Sequence, residues 1–382
     1  MSQSSRNEEV TRILRNTRGK GRKARWCVLG AGNGGLSMAG HLGIMGFDVR
    51  LYNRSDEHLA GVRWHGGIEV EGAVEGFGPI KLATSRIDEA LDGADVVMIV
   101  TPSTAHRPLA RVMAPYLADG QVVVLNPGRT GGALEFRAAL REAGAEGRPV
   151  IVEAQTFIYA SRMVSRHRGH IFRIKNGVPA AALPSFRTPE VLGILEAAFP
   201  QFSAGGNVLA TSMENIGAVF HPALTLLNAG WIEETRGNFE YYLQGITPSV
   251  ATVLQKIDDE RLSVARALGV RSVSAREWLY LTYDSPGQDL CSAIRATSSY
   301  AGIMAPPGID HRYIWEDVPM SLVPIASIGG MLGVPTPAID MIIDLADIMH
   351  DTDYRTSGRT VETLGIAGLS VEDIHRIVTE AE

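Results

Sequence analysis

A histidine set in an apolar helical stretch, Ile216-Gly-Ala-Val-Phe-His221-Pro222, is a group with the means to take and give a proton near neutral pH. Pro222 removes a backbone donor beside it and is expected to kink the helix there. Downstream, Asp310-His-Arg312-Tyr-Ile-Trp-Glu316-Asp317-Val-Pro319 gathers a guanidinium and carboxylates among aromatics. Arg312 can grip a carboxylate through two parallel hydrogen bonds, and Asp317 can orient an imidazole and stabilise its charged form. An acid–base group, its carboxylate partner and an anion clamp suit proton-coupled chemistry on a small carboxylic acid. The residues alone leave a second reading open for each. His221 also fits as a satisfied core histidine, and the Arg312–Asp317 cluster fits as a salt-bridge network between helices.

Gly30-Ala-Gly32-Asn33-Gly34-Gly35 contains the G-x-G-x-x-G spacing. In a chain with 41 glycines the spacing means little by itself; its place between a first strand and a first helix gives it a mechanism. Gly30 permits a tight turn, Gly32 lets backbone approach a pyrophosphate, and Gly35 lets the helix pack close to the sheet, with the helix N-terminus facing phosphate. The second strand ends Tyr52-Asn53-Arg54-Ser55, with no carboxylate until Asp56. A carboxylate there would read the free ribose hydroxyl of NAD, whereas Arg54 can pair with the 2′-phosphate of NADP while Asn53 and Ser55 add neutral hydrogen bonds. NADP(H) is therefore favoured over NAD(H), the alternative being that Asp56 reaches the ribose. Three further strand ends, Thr101-Pro102-Ser103, Asn126-Pro-Gly128 and Glu153-Ala-Gln155, are small and polar. Thr101, Pro102, Asn126 and Gly128 are expected to contact the cofactor, and Gln155 and Tyr241 to line a substrate pocket; ordinary turn chemistry would look the same.

These groups need a frame, and the sequence supplies one. Trp26–Gly30, Phe47–Tyr52, Ala94–Thr101, Gln121–Asn126 and Pro149–Glu153 are short apolar runs bounded by Gly, Pro or polar residues, with helical stretches such as Leu36–Met45 and Ala133–Ala143 between them. That alternation predicts an α/β, Rossmann-type doubly wound, mostly parallel sheet over residues 26–207. From 208 to 382 the strand signal fades, and Met213–Gly230, Pro248–Leu268, Ala275–Tyr283 and Pro337–Met349 carry helical periodicity, predicting a mainly α-helical second domain. Residues 1–25 hold eight Lys or Arg and are expected to form a flexible basic arm.

The chain has 382 residues and a formal net charge of -6, with 36 Lys plus Arg against 42 Asp plus Glu, which counts against a general nucleic-acid binder. No apolar run approaches the ~20 residues of a membrane span. Cys27 and Cys291 make no CxxC pair, which suits a reducing cytoplasm. His167 and His170 lie among arginines that would repel a cation, so no metal is expected. Pairing of the helical halves into a homodimer is compatible with the pattern and not demanded by it.

Several blocks carry a resemblance. Gly30–Gly35, Leu-Asn-Pro-Gly-Arg-Thr-Gly-Gly-Ala-Leu-Glu-Phe (125–136), Phe-His-Pro-Ala-Leu-Thr-Leu-Leu-Asn-Ala (220–229), Tyr-Tyr-Leu-Gln-Gly-Ile-Thr-Pro-Ser (241–249), Arg-Tyr-Ile-Trp-Glu-Asp-Val (312–318) and Asp-Thr-Asp-Tyr-Arg (351–355) resemble the opine dehydrogenase family. That family includes octopine and nopaline dehydrogenases, and the pattern is nearest to the bacterial carboxyethyl-norvaline dehydrogenase. The resemblance implies reductive condensation of a 2-keto acid with an amino acid or other amine through an imine. It also implies that His221 is the catalytic histidine, Asp317 its partner and Arg312 the carboxylate-binding residue. The Asn-Arg-Ser ending of the second strand departs from the acidic residue of NAD-using members. Two rival readings remain: a keto-acid or keto-phosphate reductase acting without an amine, and a non-enzymatic NADP-binding sensor.

Overall fold

The computed structural model describes residues 23–380, which divide into two compact units. The first comprises the described chain to Gly128, residues 132–211 and the chain from Glu372; the second comprises Arg129–Gly131 and Ser212–Val371. The sequence expectation of two contiguous domains meeting at 207/208 is thus corrected in two places. Arg129–Gly131 leave the first unit because their hydrogen bonds go to Ser212, Met320 and Arg359. The last helix, Val371–Thr379, is counted almost wholly with the first unit and buries Ile374 and Val378. Residues 1–22 of the expected basic arm lie outside the described residues. Arg25 already opens the first strand, its backbone N–H donating to Asp95 at 2.7 Å.

Twelve strands belong to the first unit: β1 (Arg25–Leu29), β2 (Asp48–Tyr52), β3 (Gly67–Gly72), β4 (Gly76–Pro79), β5 (Leu82–Thr84), β6 (Val96–Ile99), β7 (Val122–Leu125), β8 (Val150–Ala154), β9 (Tyr159–Ser165), β10 (Arg168–Ile174), β11 (Val178–Leu183) and β12 (Phe202–Ala204). Eight form a Rossmann-like sheet in the order β12-β11-β8-β7-β6-β1-β2-β5, parallel everywhere except between β8 and β11. β6 and β7 are unbroken apolar runs with no exposed surface, as a strand covered on both faces must be. Trp26 of β1 is fully buried, meeting Phe47 and Phe199 edge-on at 5.7 Å each. The strand order reverses between β1 and β6, the switch point where open α/β sheets hold ligands.

A second sheet, β4-β3-β10-β9, has no counterpart in the sequence reading. The first helix, α1 (Asn33–Ile44), packs against both sheets. On the small sheet's strands the basic residues find partners: Arg168 with Glu69 at 2.8 Å and His170 with Glu71 at 3.2 Å.

The second unit is helical. α2 (Gly217–Leu227) carries Pro222 in its interior and packs on α3 (Pro248–Ala267), α6 (Arg312–Trp315), α8 (Pro337–His350) and a π-helical segment, Val318–Leu322. Between these in sequence lie α4 (Ala275–Tyr283), α5 (Leu290–Ala296) and α7 (Val323–Leu332). Fully buried Arg261 of α3 donates to Asp258, Ser272 and the carbonyls of Met213 and Val273. Asp258 in turn accepts from the Ala275 N–H at 2.7 Å, so one buried ion pair fixes the start of α4. Among the described residues no helix is long and apolar enough to cross a membrane.

Candidate active site

In the first unit the glycine loop is shaped by the ends of β1 and β6. Gly30 adopts φ 111°, and a Cβ there would lie 2.5 Å from the Val100 carbonyl, so only glycine fits the turn. A Cβ at Gly35 would collide with the Gly30 carbonyl, and one at Gly34 would come 2.7 Å from the Phe157 ring. Gly32 differs. A Cβ there would meet nothing within 4 Å, and it is the N-cap of α1 with no side-chain cap, so the helix N-terminus faces open space.

Two of the expected cofactor residues have side-chain partners within the first unit. Asn33 uses its side-chain oxygen to accept from the Met163 N–H at 2.9 Å, fastening β9. Asn53 accepts from the Ala31 N–H at 3.1 Å and donates to the Ser55 carbonyl at 3.0 Å, so its amide braces the glycine loop. Arg54 and Ser55 are exposed, and Arg54 makes no ion pair among the described residues. Asp56, the alternative ribose reader, is engaged by Arg63 at 2.7 Å and Ser85 at 3.0 Å; hydrogen bonds from Arg63 and then Ser85 hold its carboxyl below the usual range.

At the end of β7, Asn126 is buried with neither end of its amide partnered among the described residues, and the Thr101 hydroxyl beyond β6 is likewise buried and unpartnered among them. An unsatisfied buried polar group costs about 1–3 kcal/mol, so these positions fit a polar ligand such as the carboxamide end of a dinucleotide. Pro102 is exposed beside Thr101. Gly128 answers to packing, since a Cβ there would collide with the buried Glu153 side chain. Gln155 is half-buried beyond β8, in the first unit.

In the second unit His221, 18% exposed, points its Nδ1 at the Asp317 carboxylate, 2.9 Å away, and its Nε2 at the Tyr242 hydroxyl, 3.1 Å away. The Tyr313 ring stacks on the imidazole at 4.2 Å. Asp317 is fully buried at the start of the π-helical segment. Burial alone would raise its pKa, but the Arg129 guanidinium, 3.1 Å from Oδ1, and His221 reverse that and hold it well below the usual carboxylate range. An ionised Asp317 only accepts, which places a proton on Nδ1 of the imidazole and leaves Nε2 of its neutral form a lone pair. Tyr242 then donates to Nε2. Burial first, and the neighbouring tyrosines after it, push the phenol well above its ordinary value, so it keeps the proton it donates.

Arg312 lies beside this pair. Its Nε and Nη2 approach one oxygen of buried Glu316 at 2.8 and 2.6 Å, while its side chain is 45% exposed. It is both a salt-bridge member and a cation with donors to spare, so the two readings of the sequence are not exclusive. Tyr241 is corrected: it is fully buried, with its hydroxyl on Thr225 at 2.7 Å and on the His221 carbonyl at 3.0 Å, and it supports α2 instead of lining a pocket. Its neighbour Tyr242 is the one that reaches the imidazole, with Tyr300 stacked on it at 4.1 Å. Sequence reasoning pointed to the Tyr241–Tyr242 region without telling the two rings apart, and it missed Arg129. A doubled tyrosine in a turn has no periodicity to say which ring faces inward, and Arg129 was visible only as part of the 125–136 block. Among the described residues no group of three His, Cys, Asp or Glu side chains is placed to hold a metal, and both cysteines are buried and free.

Comparison with known proteins adds to this geometry. Residues 204–350 match the family profile described as NAD/NADP octopine/nopaline dehydrogenase, alpha-helical domain, and residues 25–127 match the NAD-dependent glycerol-3-phosphate dehydrogenase N-terminus. The chain is 38% identical over 354 residues to an opine dehydrogenase of Arthrobacter sp. (strain 1C), covering 92% of this chain and 98% of that one. It is 26% identical to the octopine dehydrogenase of Pecten maximus, over 87% and 92% of the two chains. A solved octopine dehydrogenase with NADH and L-arginine shares the fold at TM-score 0.77 and 22% identity, covering 94% of this chain and 99% of that one. An NADP+-bound yersinopine dehydrogenase shares it at TM-score 0.71 and 15% identity, over 93% and 98%.

Proposed function

The chain belongs to the opine dehydrogenase family of NAD(P)-dependent oxidoreductases acting on CH–NH bonds, and from that premise we propose that it condenses a 2-keto acid with an amino acid and reduces the resulting imine with NADPH. The observation that carries this reading is the imidazole of His221 held between Asp317 at Nδ1 and a phenol at Nε2. An attacking amine must be neutral, so a base has to take its surplus proton, and the departing hydroxyl must then receive one. Nε2 of His221 can do both, with Asp317 stabilising the imidazolium formed in between. Arg312, with donors left over from Glu316, fixes the keto-acid carboxylate and so orients the carbonyl carbon. The bound nicotinamide supplies the hydride that turns the imine into a secondary amine. On the cofactor side Gly32, Thr101 and Asn126 offer open backbone and unpartnered polar atoms.

The choice of NADPH is supported by Arg54, an exposed cation without an ion pair among the described residues at the end of β2, together with the engagement of Asp56 by Arg63. Following NADPH consumption with 2-keto acids alone, and again with a panel of amino acids added, tests the reading. Consumption is expected only when an amine is present. Equal rates without one would identify a simple keto-acid reductase.

A further inference from the structure

The imidazole of His221 has two nitrogens able to carry a proton, and the protein occupies both. Nδ1 meets the Asp317 carboxylate at 2.9 Å, and Nε2 meets the Tyr242 hydroxyl at 3.1 Å. One face of the ring lies under Tyr313, 4.2 Å away. Asp317 is fully buried, so the Nδ1 side leads only inward. The Nε2 side leads to a phenol. Other rings hold that phenol where it is: Tyr300 stacks on it at 4.1 Å, and Tyr241 and Phe220 meet it edge-on at 4.9 and 6.4 Å. Tyr242 is itself buried, and swinging it aside would break these ring contacts together with its bond to Nε2. Whatever charge the imidazole carries, the group next to its outward nitrogen is this hydroxyl.

We infer that Tyr242 is a catalytic residue: its hydroxyl hands protons between the reacting atoms of the substrate and Nε2 of His221, which does not meet the substrate itself. The inference rests on the proposed acid–base use of His221 and adds the route the proton takes. A hydroxyl both donates and accepts, so it can serve in either direction. When the amine adds to the keto carbon, the new C–N bond leaves a surplus proton on nitrogen. That proton passes to the Tyr242 oxygen as Tyr242 gives its own to Nε2, leaving an imidazolium and an unchanged tyrosine. Dehydration runs the relay backwards. Nε2 returns its proton to the Tyr242 oxygen, Tyr242 gives one to the substrate hydroxyl, and the C–O bond breaks with loss of water. The nitrogen lone pair then closes the C=N bond, leaving a protonated imine for the hydride. Burial first, and the neighbouring tyrosines after it, push the phenol well above its ordinary value. It therefore passes one proton on only while receiving another, and no free phenolate forms.

Tyr242→Phe tests this, because it keeps the ring and its stack and removes only the hydroxyl. Turnover is expected to fall by about 10²-fold or more, with KM for both substrates and NADPH affinity near wild type. Two isotope effects on kcat in this variant tell a missing relay from a disturbed site. With proton transfer the slowest step, heavy water should slow the variant strongly, while NADPH deuterated at the transferred hydrogen should give an effect near unity. A merely structural role would slow hydride transfer too and leave that second effect well above unity. Fluorotyrosine in place of Tyr242 changes the acidity of the hydroxyl and keeps the ring, and it decides the matter should Tyr242→Phe not fold: turnover is expected to change severalfold with KM unmoved. Wild-type turnover in Tyr242→Phe, or a hydride isotope effect well above unity there, overturns the inference, as does wild-type turnover in the fluorotyrosine chain where that is the one that folds. Normal turnover in His221→Asn would overturn the proposed function itself, a different result.

Discussion

The loop around Gly32 and the pocket around His221 are built on opposite principles. At the first, the groups have unspent capacity among the described residues: a helix N-terminus without a side-chain cap, an amide with neither end partnered at Asn126, and a cation without an ion pair at Arg54. At the second, most of the charge is already paired: Arg129 meets Asp317 and Glu316, and Arg312 meets Glu316 while keeping donors to spare. The contrast suits the roles proposed for the two. A site for a large anionic ligand keeps its donors unpaired so that binding satisfies them, while a site that moves protons fixes its dipoles beforehand so that none need reorganise during reaction. Substitutions at the first should therefore change affinity, and substitutions at the second should change turnover.

The largest expected effect separates the two regions most sharply. His221→Asn should cut turnover by roughly 10²–10⁴-fold while leaving NADPH affinity near wild type, read by steady-state kinetics and fluorescence titration. Next comes a control within the glycine loop. Gly35→Ala puts a methyl group into the Gly30 carbonyl and should cost at least about 1–3 kcal/mol of stability in urea unfolding, whereas Gly32→Ala, with open space around it, should leave stability unchanged and weaken NADPH. The smallest is Arg54→Ala, expected to weaken NADPH by about tenfold through the loss of a charged hydrogen bond. NADH should be unaffected, and an equal loss for both cofactors would remove the 2′-phosphate from Arg54.

Much of the first unit was legible because its physics is local. β1, β6, β7 and β8 are apolar runs stopped by glycine or polar residues, and a glycine loop between strand and helix announces itself. The small sheet was not legible: β3 and β4 are short and glycine-rich, and β10 mixes arginine and histidine with its apolar residues, so no strand-like run stands out. The cluster of His221, Arg312 and Asp317 was legible from residue type and block resemblance, since proton transfer and carboxylate binding narrow the choice. Arg129 was not, because its role depends on a left-handed backbone at a non-glycine position and on a partner distant in sequence, and no spacing rule encodes either. Tyr241 and Tyr242 show the same limit in miniature: adjacent residues, one holding α2 and one touching the imidazole, told apart only by the turn they share.

The measurement nearest to the central claim is the fate of the amine nitrogen. Supplied with NADPH, a 2-keto acid and an amino acid labelled with nitrogen-15, the chain should release a secondary amine whose mass is the sum of both acids less one water plus two hydrogens, with the label retained. A 2-hydroxy acid without label, formed equally well when no amino acid is added, would contradict the account.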